Sequence, residues 1–152
     1  MFKELYAYLN ESAKKEVFLV GTLKKTVDNF IYLDISNDII EGLRSMLPEE
    51  DDAKKPPYDN KENRGIGAHI SVIYTDEYNE KDLGVIKELG KEYKFTTGKV
   101  HSVNPEKWDE ISKVWFMDVA SPDLEKLRQK YGLSKLLNGH AFHISFAVKK
   151  EK

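Results

Sequence analysis

The chain has 152 residues, of which 40% are apolar and 33% charged, and its 24 basic and 26 acidic side chains give a formal net charge of −2. This length and composition predict one folded domain and exclude a disordered chain. A net-acidic protein does not suit sequence-independent binding of long nucleic acid, which needs many neutralised phosphates. The sequence contains no cysteine, which excludes disulfides, thiolate metal sites, iron–sulfur clusters and cysteine nucleophiles.

The apolar stretches, such as residues 17–20, are far shorter than the ~18 residues that a membrane-spanning helix requires. Residues 1–15 carry scattered charges and lack the apolar core of a signal peptide. We therefore expect a cytoplasmic protein without a membrane partner. The absence of cysteine is typical of a reducing compartment.

The first half of the chain predicts helices and strands in turn. Apolar spacing indicates a helix over residues 2–15, and strands follow over 17–23 and 30–35. The run Ser36-Asn37-Asp38 offers caps for a helix whose Ile40, Leu43 and Leu47 share one face. Residues 48–64 combine a run of acidic residues with prolines and predict an exposed loop, which could close over a substrate or be a simple insertion. Residues 67–74 then predict a strand.

The second half repeats this alternation. Leu83, Ile86, Leu89 and Tyr93 predict an amphipathic helix over residues 81–93, followed by strands over 94–103 and 114–119. Ser121 and Pro122 predict the start of a helix, with serine as the cap and proline at the first helical position. A closing strand spans 142–148. The spacing of these elements is not that of a parallel sheet, so we expect an α+β fold.

The two halves also resemble each other. Residues 31–35 read like residues 115–119, and Asp34 then aligns with Asp118, an offset of 84 positions (118 minus 34). The next helices align as well, and each half ends in a strand that reads His-Ile-Ser, at 69–71 and 143–145. The charged loop over 48–64 accounts for the different spacing of the two motifs. These matches predict a divergent internal duplication, although strand–helix–strand units also resemble one another without common origin.

Each His-Ile-Ser strand predicts an imidazole and a hydroxyl on one face. Side chains alternate across a strand, so His69 and Ser71 share a face, as do His143 and Ser145, while the isoleucines face the core. Phosphodiester cleavage needs a base for the attacking oxygen and an acid for the leaving oxygen, and histidine performs either role near neutral pH. Hydroxyls can donate to non-bridging phosphate oxygens as charge develops. This chemistry requires no metal or other cofactor.

The paired motifs resemble the His-x-Ser/Thr motifs of the two-histidine (2H) phosphoesterases, over about residues 17–148. The resemblance implies a bilobal α+β fold, with two pseudo-symmetric β-sheet lobes, flanking helices and a central cleft. It implies one domain over 1–152, with lobes at about 16–75 and 94–150. His69 and His143 would be the acid–base pair, and Ser71 and Ser145 the phosphate donors. Both motifs have serine where many members have threonine, so the hydroxyls lack the rotamer restriction of a β-branched side chain.

Within this superfamily the chain is most similar to the phage anti-CBASS phosphodiesterases, which destroy the cyclic di- and trinucleotide messengers of bacterial antiviral signalling. The similarity implies hydrolysis of 3′–5′ linkages in small substrates of the cyclic GMP–AMP or cyclic triadenylate type, in the host cytoplasm. Two alternatives stay open. One is an RNA-end enzyme, either a 2′,3′-cyclic phosphodiesterase or a 2′–5′ ligase-like protein, and the other is a nucleotide-binding sponge without turnover.

Other residues have weaker claims on the site. Trp108 could line the pocket and Arg64 could meet a phosphate, so both are candidate substrate-binding residues. His140 stands three positions before His143, but on a strand the two would face opposite ways, and we expect no metal site there. His101 is interpreted as a surface or strand-edge residue without a catalytic role.

Overall fold

The structure, a computed structural model, describes residues 19–54, 66–104, 111–137 and 139–150. The helix that the sequence predicts over residues 2–15 lies outside these ranges. The described residues form six strands and three α-helices, in the order β1 Leu19–Lys25, β2 Ile31–Asp34, α1 Asn37–Ser45, β3 His69–Ile73, α2 Thr75–Lys81, β4 Glu92–Val103, β5 Ile111–Ala120, α3 Pro122–Lys130 and β6 Phe142–Lys150. The predicted α+β class is confirmed.

All six strands join in one antiparallel sheet with the order β3-β2-β1-β4-β5-β6. The first strands of the two halves, β1 and β4, pair at the centre, and the strands that carry His-Ile-Ser lie at the two ends. β3 and β6 nevertheless contact each other. The sheet therefore curves until its two ends meet.

The register of the two halves is equivalent around the motifs. In β2–β3, Asp34 pairs with His69 and Tyr32 with Ser71. In β5–β6, Asp118 pairs with His143 and Phe116 with Ser145. Each motif thus lies against the same positions of the preceding strand, as the alignment of Asp34 with Asp118 predicts. The lobe boundaries at about 16–75 and 94–150 stay a prediction.

The helices are capped as expected. The Ser36 hydroxyl accepts a hydrogen bond from the Asp38 amide at the start of α1, and the Ser121 hydroxyl accepts one from the Leu124 amide at the start of α3. α1 and α3 each pack across the pseudo-symmetric division, because α1 contacts β6 and α3 contacts β3 as well as β4. The core between helices and sheet is built from apolar side chains of both halves, including Leu33, Ile40, Leu43, Ile70, Trp115, Leu124, Leu127, Ile144 and Phe146.

The helix predicted over residues 81–93 is wrong. The structure has α2 over Thr75–Lys81, and Asp82 then adopts a left-handed φ of 49° that ends the helix. Gly84 and Gly90 also have positive φ values, so this segment follows turns until β4 begins. Among the apolar residues at helical spacing, Ile86 is buried, but Leu89 is 37% exposed. The helical spacing there is coincidental.

The predicted loop over 48–64 is described only as far as Lys54. A single turn of 3₁₀-helix spans Glu49–Asp51. Lys54 then forms an isolated antiparallel bridge with Val148 of β6. The remainder lies outside the described residues, so its exposure and any role as a lid stay predictions. No helix among the described residues is long and apolar enough to cross a membrane.

Candidate active site

Both His-Ile-Ser strands present the predicted faces. His69 and Ser71 are half-buried on β3, while Ile70 and Val72 between and beyond them are buried. β6 repeats the pattern: His143 and Ser145 are half-buried. The intervening Ile144 and the following Phe146 are fully buried. Each strand therefore anchors its motif through apolar side chains on the core face and leaves the imidazole and hydroxyl accessible on the other.

The two imidazoles make the same hydrogen bond. Nδ1 of His69 lies 2.8 Å from the carbonyl oxygen of Gly67, and Nδ1 of His143 lies 3.1 Å from that of Ala141, two residues upstream in each case. A carbonyl only accepts, so Nδ1 is the donor in both rings. This assigns the tautomer and leaves Nε2 of each histidine as the nitrogen that can exchange a proton with a substrate.

The residue before His69 is held by the helix of the same half. The Ala68 amide donates to the Asn37 side chain at 2.8 Å, and its carbonyl accepts from the Ile35 amide. Asn37 is the first residue of α1. The start of this helix therefore fixes the backbone that carries His69.

The two motifs come together because β3 and β6 contact each other. Burial lowers the pKa of His69 below its ordinary value of 6.5, and the charge of His143 lowers it further. The hydrogen bond to Gly67 and the negative charge of Asp34 act in the opposite direction. His69 and His143 are thus close enough to influence each other electrostatically, as an acid–base pair on one substrate must be.

Aromatic rings surround His69. Phe30 and Tyr32 each contact the imidazole edge-on, with ring centroids 5.9 Å away. The Phe30 ring lies nearly parallel to that of Tyr74, 6.4 Å between centroids, and forms a wall of a cavity that also includes α2 residues. Flat apolar rings beside the imidazole of His69 offer stacking surfaces for nucleobases.

His143 opens onto a cavity of about 360 Å³. Phe116 contacts the imidazole edge-on at 5.5 Å between centroids. The cavity is lined by residues of β4, β5 and β6 and of the segment before β6: Val103, Val114, Phe116, Asp118, His140, Ala141, His143 and Ser145. His143 and Ser145 therefore share one pocket with a carboxylate and apolar side chains.

A carboxylate bonded to a nitrogen-bearing side chain lies beside each motif. Nζ of Lys24 donates to Oδ2 of Asp34 at 2.6 Å in the first half. Nε2 of His101 lies 2.7 Å from Oδ2 of Asp118 in the second half. Lys24 stands opposite Tyr32, and His101 stands opposite Phe116, so the two side chains that bond to the aspartates occupy equivalent positions of the sheet.

The His101 side chain is partly exposed, as a surface residue would be, but the alternative of a sheet-edge residue is wrong. His101 belongs to β4, a central strand, and its ring stacks on Phe116 at 5.3 Å. Sequence reasoning missed it because the two hairpins differ in length: Lys24 pairs with Tyr32 eight positions further along (32 minus 24), and His101 pairs with Phe116 fifteen positions further along (116 minus 101). Counting from Lys24 with the constant offset of 84 reaches position 108, so the equivalence becomes visible only in the strand pairing.

His140 does not lie on the strand of His143, so the predicted opposite orientation of the two side chains does not apply. His140 precedes β6 and forms an isolated bridge with Leu137, and its side chain lines the same cavity as His143. Within the described ranges, no group of three or more His, Cys, Asp or Glu side chains is placed to hold a metal ion. Arg64 and Trp108, the two candidate substrate-binding residues, lie outside the described residues.

Comparison with known families agrees with this arrangement. The family model described as "Swiss Army Knife, 2H phosphoesterase domain" matches residues 31–152. The chain belongs to the 2H phosphoesterase family. Its match covers both His-Ile-Ser motifs, and membership indicates a hydrolase with phosphodiesterase activity. No curated protein and no solved structure matched the chain.

Proposed function

We propose that this 2H phosphoesterase opens the 3′–5′ linkages of cyclic di- and trinucleotides, with His69 and His143 as its acid–base pair and Ser71 and Ser145 as donors to the phosphate. The observation that carries the proposal is the equivalent placement of the two motifs. In each, a carbonyl accepts the Nδ1 proton, so Nε2 is left for proton transfer. A hydroxyl stands two residues further along the same strand face.

The pKa of His69 supports a division of roles. Burial is the largest influence and lowers this pKa, so His69 is neutral near pH 7 and suits the general base. In the proposed first step, Nε2 of His69 takes the proton of the ribose 2′-hydroxyl while the 2′-oxygen bonds to phosphorus. The bond from phosphorus to the 5′-oxygen breaks, and His143 in its protonated form gives that oxygen a proton.

The product of this step is a linear oligonucleotide with a free 5′-hydroxyl at one end and a 2′,3′-cyclic phosphate at the other. Water then opens the cyclic phosphate with the roles reversed, because His143 is now neutral and His69 protonated. The proton balance closes over the two steps, and both histidines return to their starting forms. Ser71 and Ser145 donate to the non-bridging oxygens as negative charge increases on them.

The surroundings of the histidines support an oligonucleotide as the substrate. Phe30 beside His69 and Phe116 beside His143 are half-buried rings on which bases can stack. A cyclic dinucleotide or trinucleotide presents a scissile phosphate with bases on either side. The biological role that we propose, destruction of an antiviral messenger, rests on the resemblance of the sequence to phage anti-CBASS enzymes alone. Arg64 and Trp108 stay predicted contacts for this substrate.

The test is turnover in EDTA of cyclic GMP–AMP, cyclic triadenylate and, separately, an RNA that ends in a 2′,3′-cyclic phosphate, with chromatographic separation of products. We expect linear products from the cyclic messengers, and no turnover by His69→Ala or His143→Ala. Cleavage of the RNA end alone would overturn the substrate class and favour the RNA-end enzyme. Bound ligand that is released intact after denaturation would overturn catalysis and favour a sponge.

A further inference from the structure

We infer that His101 is a positioning residue of this active site: it holds the Asp118 carboxylate beside His143 and keeps it from repelling the substrate phosphate, as Lys24 does for Asp34 in the first half. The inference concerns a residue outside the paired motifs. It rests on the proposed function only in assuming that an anionic phosphate binds between the motifs.

The first step of the argument is the position of the two carboxylates. Asp34 and Asp118 are the direct cross-strand neighbours of His69 and His143, and cross-strand neighbours point to the same face of a sheet. Each carboxylate therefore faces the region where the phosphate must bind. Asp118 also lines the cavity shared by His143 and Ser145.

The second step is the conflict that this position creates. A carboxylate beside a histidine favours the protonated imidazole, and the charge of Asp34 does raise the pKa of His69. The same carboxylate repels an anionic phosphodiester at close range, because like charges within a partly desolvated site interact strongly. A site that needs the carboxylate for its histidine must limit that repulsion.

The third step is the shared solution. Lys24 and His101 stand at equivalent register positions, opposite Tyr32 and Phe116, and each bonds to Oδ2 of its aspartate at 2.6 and 2.7 Å. A carboxylate only accepts hydrogen bonds, so Nε2 of His101 is the donor. The two halves have the same arrangement of a donor bonded to the aspartate, although the donor is lysine in one and histidine in the other. The bond to the aspartate is therefore the feature that the two halves share.

The aromatic contacts add a reason for imidazole in the second half. His101 stacks on Phe116, and Phe116 contacts His143 edge-on. The ring of His101 is thereby held in place on one side by stacking and on the other by Asp118, although 42% of its side chain is exposed. An exposed side chain with two directional contacts is restrained by the site and not by burial.

The experiment uses the halves of the chain as controls for each other. His101→Leu removes the donor and leaves Asp118 facing the phosphate, so we expect KM for the cyclic substrate to rise by roughly tenfold or more, with a smaller change in kcat. His101→Lys installs the residue type of the first half and should restore KM to within about threefold of the parent. The double variant His101→Leu/Asp118→Asn removes the unpaired charge and should also lower KM again.

Two results would overturn the inference: an unchanged KM in His101→Leu, or a His101→Lys variant as impaired as His101→Leu although it folds with the parent melting temperature. Calorimetric affinity for adenosine 3′-monophosphate gives a second readout that does not depend on turnover. If the parent cleaves no cyclic oligonucleotide, the proposed function fails, while the affinities of the same variants for this phosphate still decide the role of His101.

Discussion

Asp34 and His69 face each other across the β2–β3 ladder, so a carboxylate stands beside an imidazole that burial makes less basic. The two influences oppose each other. Burial lowers the pKa of His69 and is the larger effect, while the Asp34 charge raises it. The balance leaves the pKa below the ordinary value of 6.5, which determines the pH range in which His69 can accept a proton.

The pH dependence of kcat/KM follows from this balance. A general base works only when neutral, so the acidic limb of the profile should have its midpoint below pH 6.5. Asp34→Asn removes the charge that raises the pKa of His69 and should move this limb to still lower pH. The profile is obtained from initial rates at about ten pH values between about 4.5 and 9. A limb centred above pH 6.5 in the parent would contradict the assignment of His69 as the base.

Loss of either motif histidine should be severe. Acid–base catalysis contributes about 10²–10⁴-fold per group, so we expect His69→Ala and His143→Ala each to lower kcat by at least about 10²-fold. Ser71→Ala and Ser145→Ala should cost less, about tenfold to 10²-fold, because each removes one donor of several. Melting temperatures establish that the variants are folded.

Ser45→Ala is a matched control for the serine variants. Ser45 is an exposed residue at the end of α1, and its hydroxyl donates to the Gly42 carbonyl of the same helix, so its loss should cost less than about 0.5 kcal/mol of stability. Its kcat should stay at the parent value. If Ser45→Ala lowered kcat as much as Ser71→Ala, the effect of the motif serines would not be specific to phosphate binding.

Much of this fold can be predicted from the sequence because its signals are local. Alternating burial defines the strands of His69 and His143, and serine caps define the beginnings of α1 and α3. The faces of the two motifs follow directly from the period of a strand. These features depend on a few neighbouring residues, and in each case the neighbouring residues agree with the tertiary structure.

The sequence-based predictions fail where long-range strand pairing or the backbone conformation of a single residue determines the structure. The left-handed Asp82 ends α2 before the apolar residues at helical spacing, which then follow turns. His101 reaches the site because it pairs with Phe116, fifteen positions further along (116 minus 101), whereas Lys24 pairs with Tyr32, eight positions further along (32 minus 24). A pair such as His101–Asp118 is therefore visible only once the strands are aligned.

Arg128 connects the two halves through a buried ion pair. Its side chain is fully buried, and its Nη1 and Nη2 donate to both carboxylate oxygens of Glu77 at 2.9 and 2.6 Å. Nη1 also donates to the Val72 carbonyl, which follows Ser71 on β3. We expect Arg128→Met to destabilise the fold by about 3–5 kcal/mol, because it leaves Glu77 largely buried without its partner.

Denaturant unfolding measures this change, and Lys126→Met is the control. Lys126 lies on the same helix with an exposed side chain, so its replacement should alter the free energy of unfolding by less than about 0.5 kcal/mol. Equal stability of the Arg128→Met and Lys126→Met variants would show that the buried pair contributes no more than a surface charge.

Acid should destabilise the protein partly through Glu88. Burial tends to raise the pKa of Glu88, but hydrogen bonds from Lys130 and Tyr131, at 2.5 and 2.6 Å, outweigh it and the pKa is lowered. A carboxyl whose folded pKa lies below its unfolded value of 4.5 stabilises the fold above that value and loses this contribution as pH falls through the folded pKa. The free energy of unfolding should therefore decrease below about pH 4.5 more steeply in the parent than in Glu88→Gln.

The control is Glu80→Gln. Glu80 is exposed, so this variant should follow the parent. Parallel curves for the parent and Glu88→Gln would mean that Glu88 has the same pKa in the folded and unfolded chains.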